Sequence, residues 1–190
     1  MAGFSAPRCI ANDLDPVLDA AAELQRRGRT DIKLVFIGDG NQKDRLVGRA
    51  KNEGLSNCLF FPPVKKTEIA RITASFDCGL QILADVPAFY HGTSPNKFFD
   101  YIAAGIPVVC NYPGWLAELI VANQCGLVVK PRDVVGFAQA ICQLADNRDA
   151  SRAMGLCARR LAEVEFDRQK LAERFVMTAH SRINLKKDLI

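Results

Sequence analysis

Short apolar runs alternate with helical stretches over most of this 190-residue chain, and this alternation limits the possible fold more than any other feature. The runs are rich in β-branched and aromatic residues, as buried strands are. They are IKLVFIGDG (32–40), NCLFF (57–61), FDCGLQIL (76–83), IPVVC (106–110) and CGLVVK (125–130). Strands that alternate with helices form a parallel sheet covered by helices on both faces. The sequence therefore predicts an α/β domain with a doubly wound, Rossmann-like parallel sheet.

Helical patterns fill the segments between these runs. The predicted helices are DPVLDAAAELQRRG (15–28), QKDRLVGRAKNEG (42–54), KKTEIARITASF (65–76), PGWLAELIVANQ (113–124), DVVGFAQAICQLAD (133–146) and the remainder from Arg148, interrupted near EFD (165–167). The opening AGF is too short to predict a full strand, so the first segment reads as the second half of a βα unit. We expect one domain over residues 1–166 and a C-terminal helix over 167–190.

The segment GTSPNKFFDYIAAGIPVV (92–109) joins a turn, a helix and a strand. Ser94 is predicted to be the N-cap and Pro95 the first helical residue, because proline gives up no N–H that the first turn needs. Gly105 is the expected helix stop. Since free backbone N–H groups at a helix start attract anions, the segment predicts an anion site.

Ligands of open parallel sheets bind beyond the carboxyl ends of the strands. Four segments fall there: 38–40, 62–64, 85–96 and 111–115. The turn Gly38-Asp39-Gly40 lets backbone N–H groups approach a ligand closely, but the third glycine of the dinucleotide motif is absent, as is a Walker A pattern. A nicotinamide or flavin cofactor is therefore not expected. Two of the candidate features could also be purely structural. The turn at 38–40 could be a plain strand-to-helix turn, and the helix that carries Asp100 could be a capped helix with a solvated carboxylate.

Composition excludes several classes of protein. The net charge of +4 is spread along the chain, whereas a nucleic-acid-binding protein gathers its cations in one stripe. Seven cysteines stand singly and only two histidines are present, which argues against a disulfide framework and a metal site and favours a reducing compartment. No run approaches the roughly 20 apolar residues that span a bilayer. We expect a cytoplasmic protein.

The ordered segments LVFIGDG, LFFPPV, FDCGLQIL, SPNKFFDYIAAGIPVV, PGWLAELI, GLVVKPRD and FDRQKLAERF resemble the C-terminal lobe of family 4 retaining glycosyltransferases of the GT-B fold. SPNKFFDYIAAG is most similar to the branch that builds bacterial O-antigen, capsule and colanic acid polysaccharides. The resemblance implies a donor-binding lobe of a hexosyltransferase. Its donor would be a nucleotide diphosphate sugar such as a UDP- or GDP-sugar, with no bound metal or other cofactor.

The resemblance also assigns roles to residues. The turn 38–40 would lie at the cleft, and the segment with Pro63 and Val64 would contact the base through its backbone. Thr93, Ser94 and Asn96 would hold the diphosphate, and Asp100 the ribose. His91 and Lys97 are the candidates for contact with the reacting groups. An acceptor that is a glycan or a lipid-linked glycan would bind an N-terminal lobe, and the whole enzyme could associate with the inner face of the cell membrane.

This chain departs from the family pattern at three positions. The first acidic residue of the E-x7-E motif falls on Gly92, and Asp100 replaces the second glutamate. Arg8 can match the diphosphate-binding arginine, but Asn12 stands where lysine is usual.

Two other functional classes remain open at this stage. One is a sugar-nucleotide epimerase of the same two-lobed fold. The other is a non-enzymatic receiver or interaction domain with Asp85 as acceptor and Lys130 at a strand end, although Cys110 and a lone Asp39 depart from the receiver pattern.

Overall fold

The computed structural model describes residues 2–5 and 13–187, which form a parallel α/β domain. Six strands in the described residues are hydrogen-bonded in the order β3-β2-β1-β4-β5-β6. Their bounds are β1 Ala2–Ser5, β2 Leu34–Ile37, β3 Cys58–Phe61, β4 Cys78–Gln81, β5 Val108–Cys110 and β6 Gly126–Val128. Every pairing between neighbouring strands is parallel. The predicted doubly wound sheet is confirmed.

Helices connect the strands and continue after the last one. Their bounds are α1 Asp15–Arg26, α2 Lys43–Asn52, α3 Lys66–Thr73, α4 Pro87–Gly92, α5 Asn96–Ala104, α6 Trp115–Ala122, α7 Val134–Asp146, α8 Arg148–Glu165 and α9 Arg168–Lys187. The predicted break near residues 165–167 separates α8 from α9. The short helix α4 was not predicted, because its segment offers one turn of apolar residues and no helical repeat.

The first strand corrects one expectation from the sequence. Ala2–Ser5 pairs along its whole length with β2, and Ala2 and Gly3 also pair with β4. The prediction that AGF does not make a full strand was therefore wrong. A central strand receives hydrogen bonds from both neighbours, so non-local pairing can hold four residues that local sequence alone would not.

Two apolar layers hold the sheet. On one face α1, α2 and α7 cover the first core cluster, and on the other α3, α5, α6 and α8 cover the second. Leu18, Leu24 and Leu80 are fully buried in the first layer, and Phe98 and Ile102 are fully buried in the second. Helices on both faces explain why the strands read as nearly continuous apolar runs.

Helix α5 lies directly on strand β4. A Cβ atom on Gly79 would come within 2.3 Å of the Tyr101 ring, so only glycine allows this close approach. Gly105 ends the helix in the left-handed conformation with φ of 70°, as the sequence predicted. The contact fixes where the beginning of α5 stands relative to the carboxyl end of β4.

None of the helices in the described part of the chain has the length and apolar character that a bilayer crossing requires.

Candidate functional site

The carboxyl edge of the sheet carries the candidate site. The chain moves outward in one direction from β1 to β3 and in the other from β4 to β6, so the topological switch lies between β1 and β4. A crevice opens at such a switch in doubly wound sheets. The segment that follows β1, with Arg8 and Asn12, lies outside the described residues.

Buried polar side chains tie the carboxyl ends of β4 and β5 together. The Asn111 side chain accepts a hydrogen bond of 2.9 Å from the Leu83 N–H and donates one of 3.3 Å to the Leu83 carbonyl. Nε2 of Gln81 donates to the Tyr112 hydroxyl at 3.1 Å. These bonds hold the chain that leaves β4 as it enters the crevice.

A cluster of three polar side chains links the ends of β4 and β6. The Tyr90 hydroxyl donates a hydrogen bond to Oδ1 of Asp85, and Nε of Arg132 lies 2.7 Å from Oδ2 of the same carboxylate. Burial, followed by the bond to Asp85, raises the pKa of Tyr90 to about 12, so its hydroxyl stays protonated at neutral pH. We call these residues the Asp85 cluster. Arg132 thus pairs with the carboxylate that a receiver domain would use as its phosphoryl acceptor.

The linker between α4 and α5 corrects the predicted helix start. Helix α5 begins at Asn96 with Pro95 at the N-cap position and no side-chain cap, so the prediction of Ser94 as N-cap was wrong. The reason lies upstream: α4 ends at Gly92, and the chain must run extended from Thr93 to reach α5.

The first residues of α6 hold this linker. Nε1 of Trp115 donates a hydrogen bond of 3.1 Å to the Thr93 carbonyl. Gly114, with φ of 112°, lies so close to α4 that a Cβ atom would be 2.5 Å from the Tyr90 carbonyl oxygen. The linker that precedes α5 is therefore fixed from the β5 side of the crevice.

The predicted ligand residues of α5 face different environments. Asn96 and Asp100 are exposed, one turn apart on the helix, whereas the Lys97 side chain is buried. Partial burial raises the pKa of Asp100, and the nearby positive charge of Lys66, the first residue of α3, opposes that effect. Asp100 lines a groove with residues of α8 and α9, among them Arg159 and Arg168, and lies near enough to α3 to feel the charge of Lys66.

The turns after β2 and β3 form the far side of the crevice. Gly38 has φ of 135°, a conformation that glycine adopts readily, and its N–H donates to the Phe61 carbonyl at 3.3 Å. The Asp39 carboxylate accepts a bond of 3.0 Å from the Gly40 N–H. Pro63 is exposed and Val64 half-buried after β3. Sequence reasoning placed these residues at strand ends, and the structure has them there.

His91 is exposed on α4, and Thr93 and Ser94 follow in the extended linker. Within the described residues, no three His, Cys, Asp or Glu side chains cluster closely enough to hold a metal ion. The Asp85 cluster was not predicted as a ligand site, although the sequence had marked Asp85 as the acceptor of a receiver domain. Its third member lies 42 positions beyond Tyr90 in the printed sequence, and no local pattern signals that pairing.

Residues 11–161 match the family model described as glycosyl transferases group 1. A glycogen synthase of Mycobacterium tuberculosis is 30% identical over 159 residues, which cover 82% of this chain and 37% of that protein. A D-inositol 3-phosphate glycosyltransferase of Nocardia farcinica is 30% identical over 152 residues, covering 76% and 32% of the respective chains. This chain thus spans about a third of the length of these relatives.

Solved structures share the fold at lower identity. Anabaena Alr3699/HepE in complex with UDP has a TM-score of 0.80 at 16% identity, covering 95% of this chain and 48% of its own. The C-terminal domain of a group 1 glycosyl transferase, LpcC from Francisella tularensis, has a TM-score of 0.70 at 17% identity and is covered over 86% of its length.

Proposed function

Because this chain belongs to the glycosyl transferases group 1 family, we propose that it binds the nucleotide diphosphate sugar from which such an enzyme transfers a sugar. The observation that carries the proposal is the fixed linker before α5. It lies beside the topological switch, held through the Trp115 bond to Thr93, and leads into a helix of nine residues. Backbone N–H groups at the beginning of such a helix favour the negative charge of a diphosphate.

The other parts of the donor are assigned along the same edge. Backbone groups near Pro63 and Val64 contact the base, and Asp100 accepts hydrogen bonds from the ribose hydroxyls. The turn 38–40 borders the diphosphate. Phe61, whose side chain is 47% exposed at the end of β3, adds apolar surface beside the base.

Leaving-group stabilisation is the chemistry we propose for this lobe. When a sugar leaves a nucleotide diphosphate, negative charge grows on the diphosphate oxygens, and preorganised N–H donors stabilise that charge without a metal ion. His91, exposed on α4, is the side chain we propose to approach the reacting groups. The buried Lys97 would contribute a positive charge beneath the linker rather than a direct contact.

The names of similar proteins support either a UDP-sugar or a GDP-sugar as the donor. Anabaena Alr3699/HepE was solved with UDP and with UDP-glucose, and a Mycobacterium tuberculosis relative is a GDP-mannose-dependent mannosyltransferase. WaaG, a structural neighbour, is a glycosyltransferase involved in lipopolysaccharide biosynthesis. We propose a retaining transfer to a cell-surface glycan, with the acceptor bound by a second lobe.

Helix α9 is the element we propose to face that second lobe. Its side chains Phe175 and Met177 are 74% and 72% exposed, and Leu171 lines a groove of about 570 Å³ with α5 and α8. Exposed apolar side chains of this size mark contact surfaces.

The epimerase alternative lacks comparable support, since the matched family is described by glycosyl transfer.

Titration of this chain with UDP, GDP and ADP tests the proposal. We expect saturable binding of at least one nucleotide, followed by calorimetry and by the fluorescence of the single Trp115. Asp100→Ala should weaken that binding about tenfold, the effect of losing hydrogen bonds to a charged group. Asp149→Ala, an exposed aspartate at the beginning of α8, is the matched control and should bind as the unaltered chain does. Absence of saturable binding to all three nucleotides would refute the proposal.

A further inference from the structure

The Asp85 cluster lies at the carboxyl edge of the sheet and has exposed polar groups that the proposed nucleotide contacts do not use. Asp85 is 34% exposed as a side chain and Arg132 is 79% exposed. We propose that Asp85, Tyr90 and Arg132 form the subsite for the hydroxyl groups of the donor's sugar ring. The inference rests on the proposed function and names the residues that contact the transferred sugar.

The chemistry of the cluster suits a polyhydroxylated ring. Oδ1 of Asp85 accepts a hydrogen bond from Tyr90 and Oδ2 pairs with Arg132, and each oxygen retains a lone pair for another donor. Neighbouring hydroxyl groups of a pyranose can donate to those two oxygens together. The Arg132 guanidinium has N–H groups left over, which can donate to a ring hydroxyl oxygen.

The position of the cluster agrees with the order of the donor's parts. The proposed base contacts follow β3, and the diphosphate contacts lie in the linker after α4. The cluster joins the ends of β4 and β6, on the opposite side of the linker from β3. The adjacent residues Gly114 and Trp115 contact the Tyr90 and Thr93 carbonyls respectively, so the cluster lies next to the linker, within reach of a sugar on the outer phosphate.

The cluster is also rigidly supported, as a recognition site requires. The Tyr90 ring stacks on Tyr112 with centroids 6.1 Å apart and planes 11° apart. Gly114 packs against the Tyr90 carbonyl. Arg132 holds φ of 61°, which is uncommon for a residue with a side chain, and this conformation accompanies its pairing with Asp85. An exposed ion pair stabilises a fold only slightly. Joining the two loops through the Arg132–Asp85 pair would therefore be a weak reason for Arg132 to hold a positive φ.

Titrations with a nucleotide sugar and with its nucleoside diphosphate distinguish two roles for the Asp85 cluster. It could bind the sugar, or it could only join the loops after β4 and β6. The probes are UDP-glucose, UDP-N-acetylglucosamine and GDP-mannose, each measured against its own nucleoside diphosphate by calorimetry. For the probe that binds best, Asp85→Asn should raise the Kd of the nucleotide sugar about tenfold and leave that of the nucleoside diphosphate within about twofold. Tyr90→Phe keeps the stacked ring and removes only the hydroxyl, so it should give a smaller loss of the same selectivity.

Asp77→Asn provides the matched control. Asp77 pairs with Arg148 just before β4, so the variant removes an aspartate of an aspartate–arginine pair at the opposite end of the same strand. It should change neither Kd. Equal weakening of nucleotide and nucleotide sugar by Asp85→Asn would mean that the cluster is only a tether, and unchanged binding in both Asp85→Asn and Tyr90→Phe would also overturn the inference. If the unaltered chain binds no nucleotide at all, the proposed function itself fails, which is a different result.

Discussion

The Trp115 indole donates its hydrogen bond to the Thr93 carbonyl across 22 positions of sequence, so the first residue of α6 holds the segment that leads into α5. The bond joins the loops that follow β4 and β5. The proposed anion site therefore depends on two loops that are far apart in the sequence.

Replacing Trp115 with phenylalanine should therefore affect nucleotide binding more than folding. The ring remains but the N–H donor is lost, which frees the Thr93 carbonyl and the linker. We expect the Kd of the best-binding nucleoside diphosphate to rise about three- to tenfold, as for the loss of one hydrogen bond. Calorimetry measures the change. Asn123→Ala, which removes a side-chain bond to Leu119 at the other end of α6, should leave the Kd unchanged. Equal effects of the two variants would contradict this role.

Gly114 should be intolerant of any side chain. Its φ of 112° is unfavourable for other residues, and a Cβ atom would meet the Tyr90 carbonyl at 2.5 Å. We expect Gly114→Ala to lower the free energy of unfolding by about 2 kcal/mol or more, measured by urea denaturation. Gly48→Ala in the middle of α2 is the control, and it should raise the free energy of unfolding. Its Cβ would have no neighbour within 4 Å, and alanine favours a helix by about 0.5–1 kcal/mol.

The sheet was largely predictable because its signals are local. The apolar runs around Val35, Leu80 and Val109 fall on β2, β4 and β5, and Gly105 ends α5 where it was expected. Burial on both faces demands a continuous apolar run, and such a run is visible in one sequence. The strand at Ala2–Ser5 escaped prediction since its hydrogen bonds come from β2 and β4, which lie far away in the sequence.

The site was predictable only as a set of strand ends. The turn at Gly38 and the carboxylate at Asp100 could be placed from sequence, because each stands beside a recognisable strand or helix. The residue at which the linker ends and α5 begins could not be predicted. Ser94 followed by Pro95 looks like a helix start, and only the preceding helix α4 makes the chain extend through Ser94. The Asp85–Arg132 pair depends on the loops after β4 and β6 meeting, which no local pattern encodes.

The pH dependence of nucleotide binding should reflect Asp100. An ionised carboxylate accepts stronger hydrogen bonds from the two ribose hydroxyls than a protonated one does, and partial burial raises the pKa of Asp100 above its ordinary value. Affinity should therefore be full at neutral pH and should fall on acidification at a higher pH than an ordinary aspartate would give. Calorimetric titrations from pH 7 to pH 4 measure the fall. Asp100→Asn should flatten the profile, and an unchanged profile in that variant would assign the pH dependence to another group.

Ion pairs between α1 and α2 should make a pH-dependent contribution to stability. Arg45 contacts the Asp15 carboxylate at 2.6 Å and Arg49 contacts it at 2.8 Å. The hydrogen bonds from Arg45, then from Arg49, outweigh partial burial and lower the pKa of Asp15 from 3.8 to about 2. Because the folded pKa is the lower one, the stabilisation is complete above about pH 4 and is lost as the pH falls towards 2.

A double-mutant cycle of Asp15→Asn and Arg45→Gln isolates this contribution. Both side chains are partly exposed, at 31% and 50%, so solvent screening limits the coupling free energy to about 1 kcal/mol at pH 7. Urea unfolding of the four proteins at pH 7 and at pH 3 measures the coupling, which should be smaller at pH 3, since the unfolded chain is then largely protonated at Asp15. The same cycle in about 1 M salt should also shrink, because the Debye length is then only about 3 Å. Additive effects at pH 7 would show that Asp15 and Arg45 are adjacent without stabilising each other.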